Sequence, residues 1–153
     1  MYRTHLAFAF LSGLLLINLV KPSNLIIYFV LILFGGLLPD IDEHHSKLGR
    51  KIRPLSTILN FIFGHRALFH GLFFAIVLFG IVGYFFSLEI GLALFIGYIS
   101  HLIIDGFTIA GVNYLHPFSK LHLKGFIQTG GLGEHFIYLF IIVAAVFEFI
   151  SML

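Results

Sequence analysis

Three short stretches of this chain carry side chains able to hold a divalent cation. Asp40-Ile-Asp42 sets two carboxylates two residues apart, His65 and His70 stand five apart, and His101 and Asp105 are separated by four. Four residues make about one helical turn, so His101 and Asp105 share a helix face at about 6 Å and can hold one ion together. His65 and His70 do not share a face of a regular helix. They converge only if His65 lies on a loop just before the helix that carries His70. Asp40-Ile-Asp42 follows Gly35-Gly36 and Pro39, which puts it at a helix end where two carboxylates can reach or bridge metals. His5 adds a further imidazole.

Histidine and carboxylate ligands in a chain without cysteine suit Zn²⁺, Mn²⁺ or Fe²⁺, with Zn²⁺ or Mn²⁺ the first choices. The set Asp40, Asp42, His65, His70, His101, Asp105 and His5 is larger than one ion requires, so a two-ion site is compatible with it. In such a site one ion generates hydroxide near neutral pH, and both stabilise the oxygens of a displaced phosphoryl group. Arg66, beside His65, offers a guanidinium for a bidentate grip on phosphate. Glu134 is a candidate general acid or base, or else a further ligand.

Each piece also has a plainer reading. A lone histidine on an apolar face is commonly just hydrogen-bonded, which suits His5. Asp40 and Asp42 can cap a helix end and pair with Arg50 or Arg53. His101 with Asp105 can form a structural hydrogen bond inside the membrane. His44 and His45 read as solvated loop residues, and Lys47 to Arg53 as a topology determinant facing anionic lipid. Taken together the constellation favours metal.

The elements that must position these residues follow from composition. Of 153 residues, 59% are hydrophobic and only 10% charged, with a mean hydropathy of +1.06. Soluble domains carry roughly 25% charged residues, so a bilayer is the solvent that makes this composition sensible. Five apolar segments approach the length a span needs: Leu6–Val20, Leu25–Leu38, Leu68–Phe86, Ile90–Gly111 and Phe136–Met152. The expected fold is an all-α integral membrane protein, a compact single-domain bundle of about five transmembrane helices. No cleavage site follows the first segment, so it reads as a span rather than a signal peptide.

Lys21-Pro22-Ser23-Asn24 and Ser87-Leu88-Glu89 read as tight turns. In the longer connections the apolar piece Leu55–Phe63, too short to span, reads as an interfacial or re-entrant helix opened by Pro54 on the cytoplasmic side. These connections also carry the alternating run Ser119 to Lys124, a short strand or hairpin. Gly130, Gly131 and Gly133 supply a hinge before the last helix.

Charge counting orients the bundle. With a cytoplasmic N-terminus, Arg3, Lys47, Arg50, Lys51, Arg53, Arg66, Lys120 and Lys124 fall inside and only Lys21 falls outside. The C-terminus then lies outside, and most of the acids and histidines gather at the cytoplasmic end. His101 and Asp105 sit within an apolar span, where an ionisable group costs several kcal/mol unless paired or solvated. A net charge of only +2 argues against nucleic acid as a partner. Membrane lipids are the expected partners, and Lys120, His122 and Lys124 are placed to meet a headgroup.

The runs Gly36-Leu-Leu-Pro-Asp-Ile-Asp42, His65-Arg-x-x-x-His70-Gly71, Gly97-Tyr-x-Ser-His101-x-x-x-Asp105 and Gly111-Val-x-x-Leu-x-Pro117-Phe118 resemble a family of bacterial and archaeal inner-membrane proteins. That family is described as membrane-bound metal-dependent hydrolases, sometimes as LexA-regulated inner-membrane hydrolases. The likeness runs from His5 to about Phe118. It implies that Asp40, Asp42, His65, His70, His101 and Asp105 form the active-site set, with His5 as an additional member, and that the protein lies in the inner or plasma membrane. The His-x-x-x-Asp element is also similar to one in helical multi-zinc phospholipases C and related nucleases. Gly71 departs from the pattern, standing where a small hydroxyl residue is expected.

Together these readings lead to a metal-dependent phosphoesterase acting on a lipid or lipid-linked substrate at the cytoplasmic leaflet. Two rivals use the same residues: a transporter of divalent cations or protons, and a structural protein whose metal staples short helices.

Overall fold

The computed structural model describes residues 1–42, 54, 57 and 69–152. Among these, every regular element is helical: α1 (Tyr2–Val20), α2 (Leu25–Gly35), a 3-10 turn (Leu38–Asp42), α3 (Leu72–Phe85), α4 (Leu88–Gly106) and α5 (Leu132–Ser151). α1, α4 and α5 are long and apolar enough to cross a membrane, while α2 and α3 are shorter apolar helices. The protein is thus a small all-α membrane protein. The expected interfacial helix Leu55–Phe63, apart from residue 57, lies outside the described residues, as do Glu43 to Arg53, His65 and Arg66.

The helices differ from the apolar segments in ways local chemistry explains. α1 begins at Tyr2 rather than Leu6, because Thr4 and His5 are buried by polar contacts that hydropathy does not register. α2 stops at Gly35, short of Leu38. Pro39 lacks an N–H for a continuing helix, and the chain tightens into the 3-10 turn that carries Asp40. α4 ends at Gly106 rather than Gly111. There Thr108 Oγ1 donates to the Asp105 carbonyl (2.8 Å) and accepts from Gly111 N (3.1 Å), drawing the chain out of the helix. α5 starts at Leu132, four residues before Phe136, and so takes Glu134 into its first turn.

α4 is the central element and packs against α1, α2 and α3, while α5 packs against α1. Leu11, Leu14, Ile104, Ile141 and Ala145 join α1, α4 and α5. Ala9, Tyr28, Ile32 and Ala93 join α1, α2 and α4. The α2–α4 contact is backbone on backbone: a Cβ on Gly97 would collide with the Ile32 carbonyl, and one on Gly35 with the Leu94 carbonyl. Small residues allow this approach, which in lipid must supply the packing that water would otherwise drive.

The run Ser119 to Lys124 does not form a strand. Residues 107 to 131 are a folded loop closed by two isolated bridges, Val112 with Leu123 and Thr108 with Ile127. Val112 and Leu123 exchange both backbone hydrogen bonds at 2.9 Å, so the loop turns back on itself like a hairpin. Its inner residues Thr108, Val112 and Ile127 are buried.

Candidate metal centre

Helices that alternate in direction bring one end of each to the same place. His5 lies in the first turns of α1, Asp40 on the 3-10 turn after α2, His70 two residues before α3, and His101 and Asp105 in the last turns of α4. Asp105 is the hub. Its Oδ1 lies 3.3 Å from His5 Nε2, and its Oδ2 lies 3.5 Å from His101 Nε2 and 3.6 Å from His70 Nε2. His101 Nε2 is also 3.7 Å from Asp40 Oδ1. The His5 and His101 rings stack with centroids 3.9 Å apart, and His70 meets His101 edge-on at 5.5 Å. Two sets of three ligand atoms gather closely enough for one ion: His5, His101 and Asp105, and Asp40, His70 and His101.

The tautomer of His101 follows from its surroundings. Its Nδ1 lies 2.8 Å from the Gly36 carbonyl, which can only accept, so Nδ1 carries the proton. In the neutral ring Nε2 then presents a bare lone pair to the Asp40 and Asp105 carboxylates. A ligating histidine is oriented in this way by a donor bond from its other nitrogen. His101 Nε2 and Asp105 Oδ2 are buried and have no hydrogen-bond partner among the described residues.

The spacings are longer than those of a charge-assisted hydrogen bond. A charge-assisted N–H···O bond draws its atoms to about 2.7–2.9 Å. Two ligands held about 2.0–2.1 Å from a tetrahedral ion stand about 3.3–3.4 Å apart. The 3.3 Å between His5 and Asp105 falls at the second figure and the other separations, 3.5–3.7 Å, lie somewhat above it, so the donor set can close on a divalent ion with small side-chain shifts. Because His101 has a single lone pair to give, the two ligand sets form one connected site.

The cluster is nearly closed. The side chains of His5, His70, His101 and Asp105 are at most 4% exposed, whereas Asp40 is 20% exposed and marks the open side. Neighbouring tyrosines hold the walls. Tyr98 donates its hydroxyl to the Phe69 carbonyl, beside His70. Tyr114 donates to the Leu102 carbonyl at 2.9 Å and accepts at its own carbonyl from Leu72 N at 2.8 Å, coupling the approach to α3 with the end of α4. Burial and the nearby Asp105 carboxylate push the Tyr114 phenol up, so it stays a donor.

Of the residues singled out by sequence, the structure thus gathers His5, Asp40, His70, His101 and Asp105. Asp42 ends the 3-10 turn, but its side chain is not among those described, and His65 and Arg66 lie outside the described residues. Glu134 is engaged elsewhere. It accepts from Thr4 Oγ1 (2.9 Å) and Gly130 N (2.7 Å) and pairs with the amino group of Met1 (3.2 Å), joining α1 to the start of α5. It belongs to neither ligand set.

Sequence reasoning missed the Gly36 carbonyl, Gly97, Tyr98 and Tyr114 as supports of the site. Gly35-Gly36 and Gly97 inside apolar segments were the available signal for a close helix contact.

Over residues 1–152 the chain matches the family described as YdjM inner membrane protein. It is 37% identical over 105 residues to YvsG, an uncharacterized protein of Bacillus subtilis (strain 168), a match covering 67% of this chain and 66% of that one. It is 34% identical over 87 residues to inner membrane protein YdjM of Escherichia coli (strain K12), covering 53% of this chain and 44% of that protein. The relative in Shigella flexneri matches to the same extent. The chain therefore spans about half to two thirds of the length of these relatives. No solved structure matches it. The full-length match and the apolar helices agree: this membrane protein belongs to the YdjM inner membrane protein family.

Proposed function

We propose that this protein is a metal-dependent hydrolase that cleaves a phosphoester of a lipid or lipid-linked substrate at the cytoplasmic leaflet. The observation that carries the reading is the cluster itself. Five ionisable side chains from different parts of the chain converge at ligand spacing, with bare, buried atoms at its centre and one carboxylate at its open side.

His5, Asp40, His70, His101 and Asp105 would hold Zn²⁺ or Mn²⁺. When bound, such an ion acidifies a water and polarises a phosphoryl oxygen. The protein's own groups do the rest. The Gly36 carbonyl keeps the His101 lone pair turned inward. The packed α1–α2–α4 core keeps water from reaching the cluster from behind. Asp40, the most exposed of the five, would meet substrate and incoming water first, and the carboxylate oxygen not used to hold the ion would accept a proton from that water. Arg66, four residues before His70 in the sequence, is the proposed phosphate-holding group. Glu134 is better suited to joining α1 and α5 than to proton transfer. The described residues would serve one ion, and a second would draw on Asp42 and His65.

The substrate class follows from place. The cluster lies at helix ends, which in a bilayer would put it near the membrane–water boundary, the depth of lipid phosphates. The basic residues at the cluster's end, Arg3, Lys120 and Lys124, against Lys21 at the other, support a cytoplasmic N-terminus and an outer C-terminus.

The test is hydrolysis of phosphatidic acid and of a diacyl phosphodiester by protein reconstituted with added Zn²⁺ or Mn²⁺. Wild type should release product, and Asp105→Ala should not, while keeping its helical content. Cleavage unchanged in Asp105→Ala would sink the assigned role. Cation or proton flux into liposomes without cleavage would move transport to the front.

A further inference from the structure

We infer that the loop of residues 107 to 131 is an interfacial anchor that binds anionic phospholipid headgroups, a role independent of any hydrolysis at the cluster. The loop buries some of its apolar side chains and exposes others. Thr108, Val112 and Ile127 are buried, and Val112 packs with Ala75, Tyr98 and Leu102 of α3 and α4. Other apolar side chains of the loop are exposed: Phe118, which meets Phe73 of α3 edge-on at 5.2 Å, is 77% exposed, Phe126 84%, Leu121 59% and Leu123 49%. On a transmembrane helix such exposure simply meets lipid. On a connection between helices it is unusual, because loops facing water are built from polar and turn-forming residues.

Charge selects the occupant. Between Gly106 and Gly133 the chain has no Asp or Glu, and Lys120 and Lys124 alternate with Leu121 and Leu123 on the exposed stretch. A segment that offers lysine and large apolar side chains together fits the headgroup–acyl boundary of an anionic leaflet. There the apolar side chains leave water and each lysine gains from the negative surface. The loop leaves the end of α4 that carries His101 and Asp105, so it sits at the depth of the cluster.

The absence of Trp from the chain makes the test direct. The protein carrying Phe118→Trp or Phe126→Trp is reconstituted into phosphatidylcholine vesicles that also contain phosphatidylglycerol, whose negative charge gives the surface its potential. Either the phosphatidylglycerol or an equal amount of the phosphatidylcholine carries brominated acyl chains. Phe147→Trp, on the exposed face of α5, reports insertion of the bundle. The Trp at 118 or 126 should be quenched, and more strongly by brominated phosphatidylglycerol than by brominated phosphatidylcholine. Lys120→Gln/Lys124→Gln, or high salt with the lysines intact, should erase that difference while the Phe147→Trp signal stays quenched. No quenching at 118 and 126 would put the loop in water or against a protein and overturn the inference. Equal quenching by both lipids would overturn the anionic preference and with it the binding site.

Discussion

The two ends of the bundle handle buried and exposed carboxylates in opposite ways. At the end that carries the tight turns, Glu89 accepts from the Ser23 backbone N–H at 3.0 Å and from its hydroxyl at 3.0 and 3.1 Å, tying the α1–α2 turn to the start of α4. The contact is exposed, and both carboxylate oxygens accept hydrogen bonds. At the other end Asp105 is buried among three imidazoles. Its Oδ2 lacks a hydrogen bond among the described residues, and no neighbour stands at the short distance of a charge-assisted pair. A carboxylate whose task is to hold helices together takes the Glu89 arrangement, and Glu134 repeats it at the cluster end through Thr4 and Gly130. The Asp105 arrangement gathers His5 of α1, His70 before α3 and His101 of α4 around one buried carboxylate, and it suits a cation.

Substitutions break or sharpen this contrast. The largest effect is expected from Asp105→Asn, which keeps the shape but removes the charge shared by His5, His70 and His101. Zn²⁺ affinity, read by competition with a chelating dye, should fall by more than about 100-fold, beyond the range typical of supporting residues. Gly97→Ala should come next, because its methyl group meets the Ile32 carbonyl and forces α2 from α4. The expected cost is about 1–3 kcal/mol, seen as a lower melting temperature in detergent. Zn²⁺ affinity should drop with it by about 10–100-fold, as the Gly36 bond to His101 is displaced.

Tyr114→Phe removes one partly buried hydrogen bond, worth about 1 kcal/mol. Its effect on Zn²⁺ binding should stay under about tenfold. Glu89→Gln should be the mildest, with at most about 1 kcal/mol lost from an exposed contact and Zn²⁺ binding unchanged. If Glu89→Gln depleted metal, or Asp105→Asn did not, the contrast between the two ends would be wrong.

The parts of this architecture that were legible in the sequence are those set by composition and short spacing. Five apolar segments foretold five helices, and the i, i+4 spacing of His101 and Asp105 put both on one face of α4. The helix ends were less legible. Hydropathy ignores Thr4 and His5, whose burial extends α1, and it runs past Asp105, where Thr108 rather than a change in polarity ends α4. Ser119 to Lys124 alternates like a strand, yet only Leu123 finds a bridging partner within it, because the run folds over Val112 as part of a loop.

At the site, residue types pointed to side chains that the structure gathers, His5, Asp40, His70, His101 and Asp105, but their supports are invisible to any pattern of ionisable residues. Gly36 acts through its carbonyl, Gly97 through its missing side chain, and Tyr114 by joining two segments that are distant in sequence. Glu134 shows the converse. An acid at a helix start among histidines suggested chemistry, and its position gave no hint that Thr4, 130 residues away, would engage it.

The account's central claim is that the cluster is a metal site. Metal content per chain, measured by mass spectrometry on protein purified in detergent without chelators, tests it most directly, with wild type compared against His101→Ala/Asp105→Ala. The account predicts stoichiometric Zn or Mn in the wild type and background levels in the variant. Wild-type protein that carries no metal and fails to retain added Zn²⁺ or Mn²⁺ would contradict it.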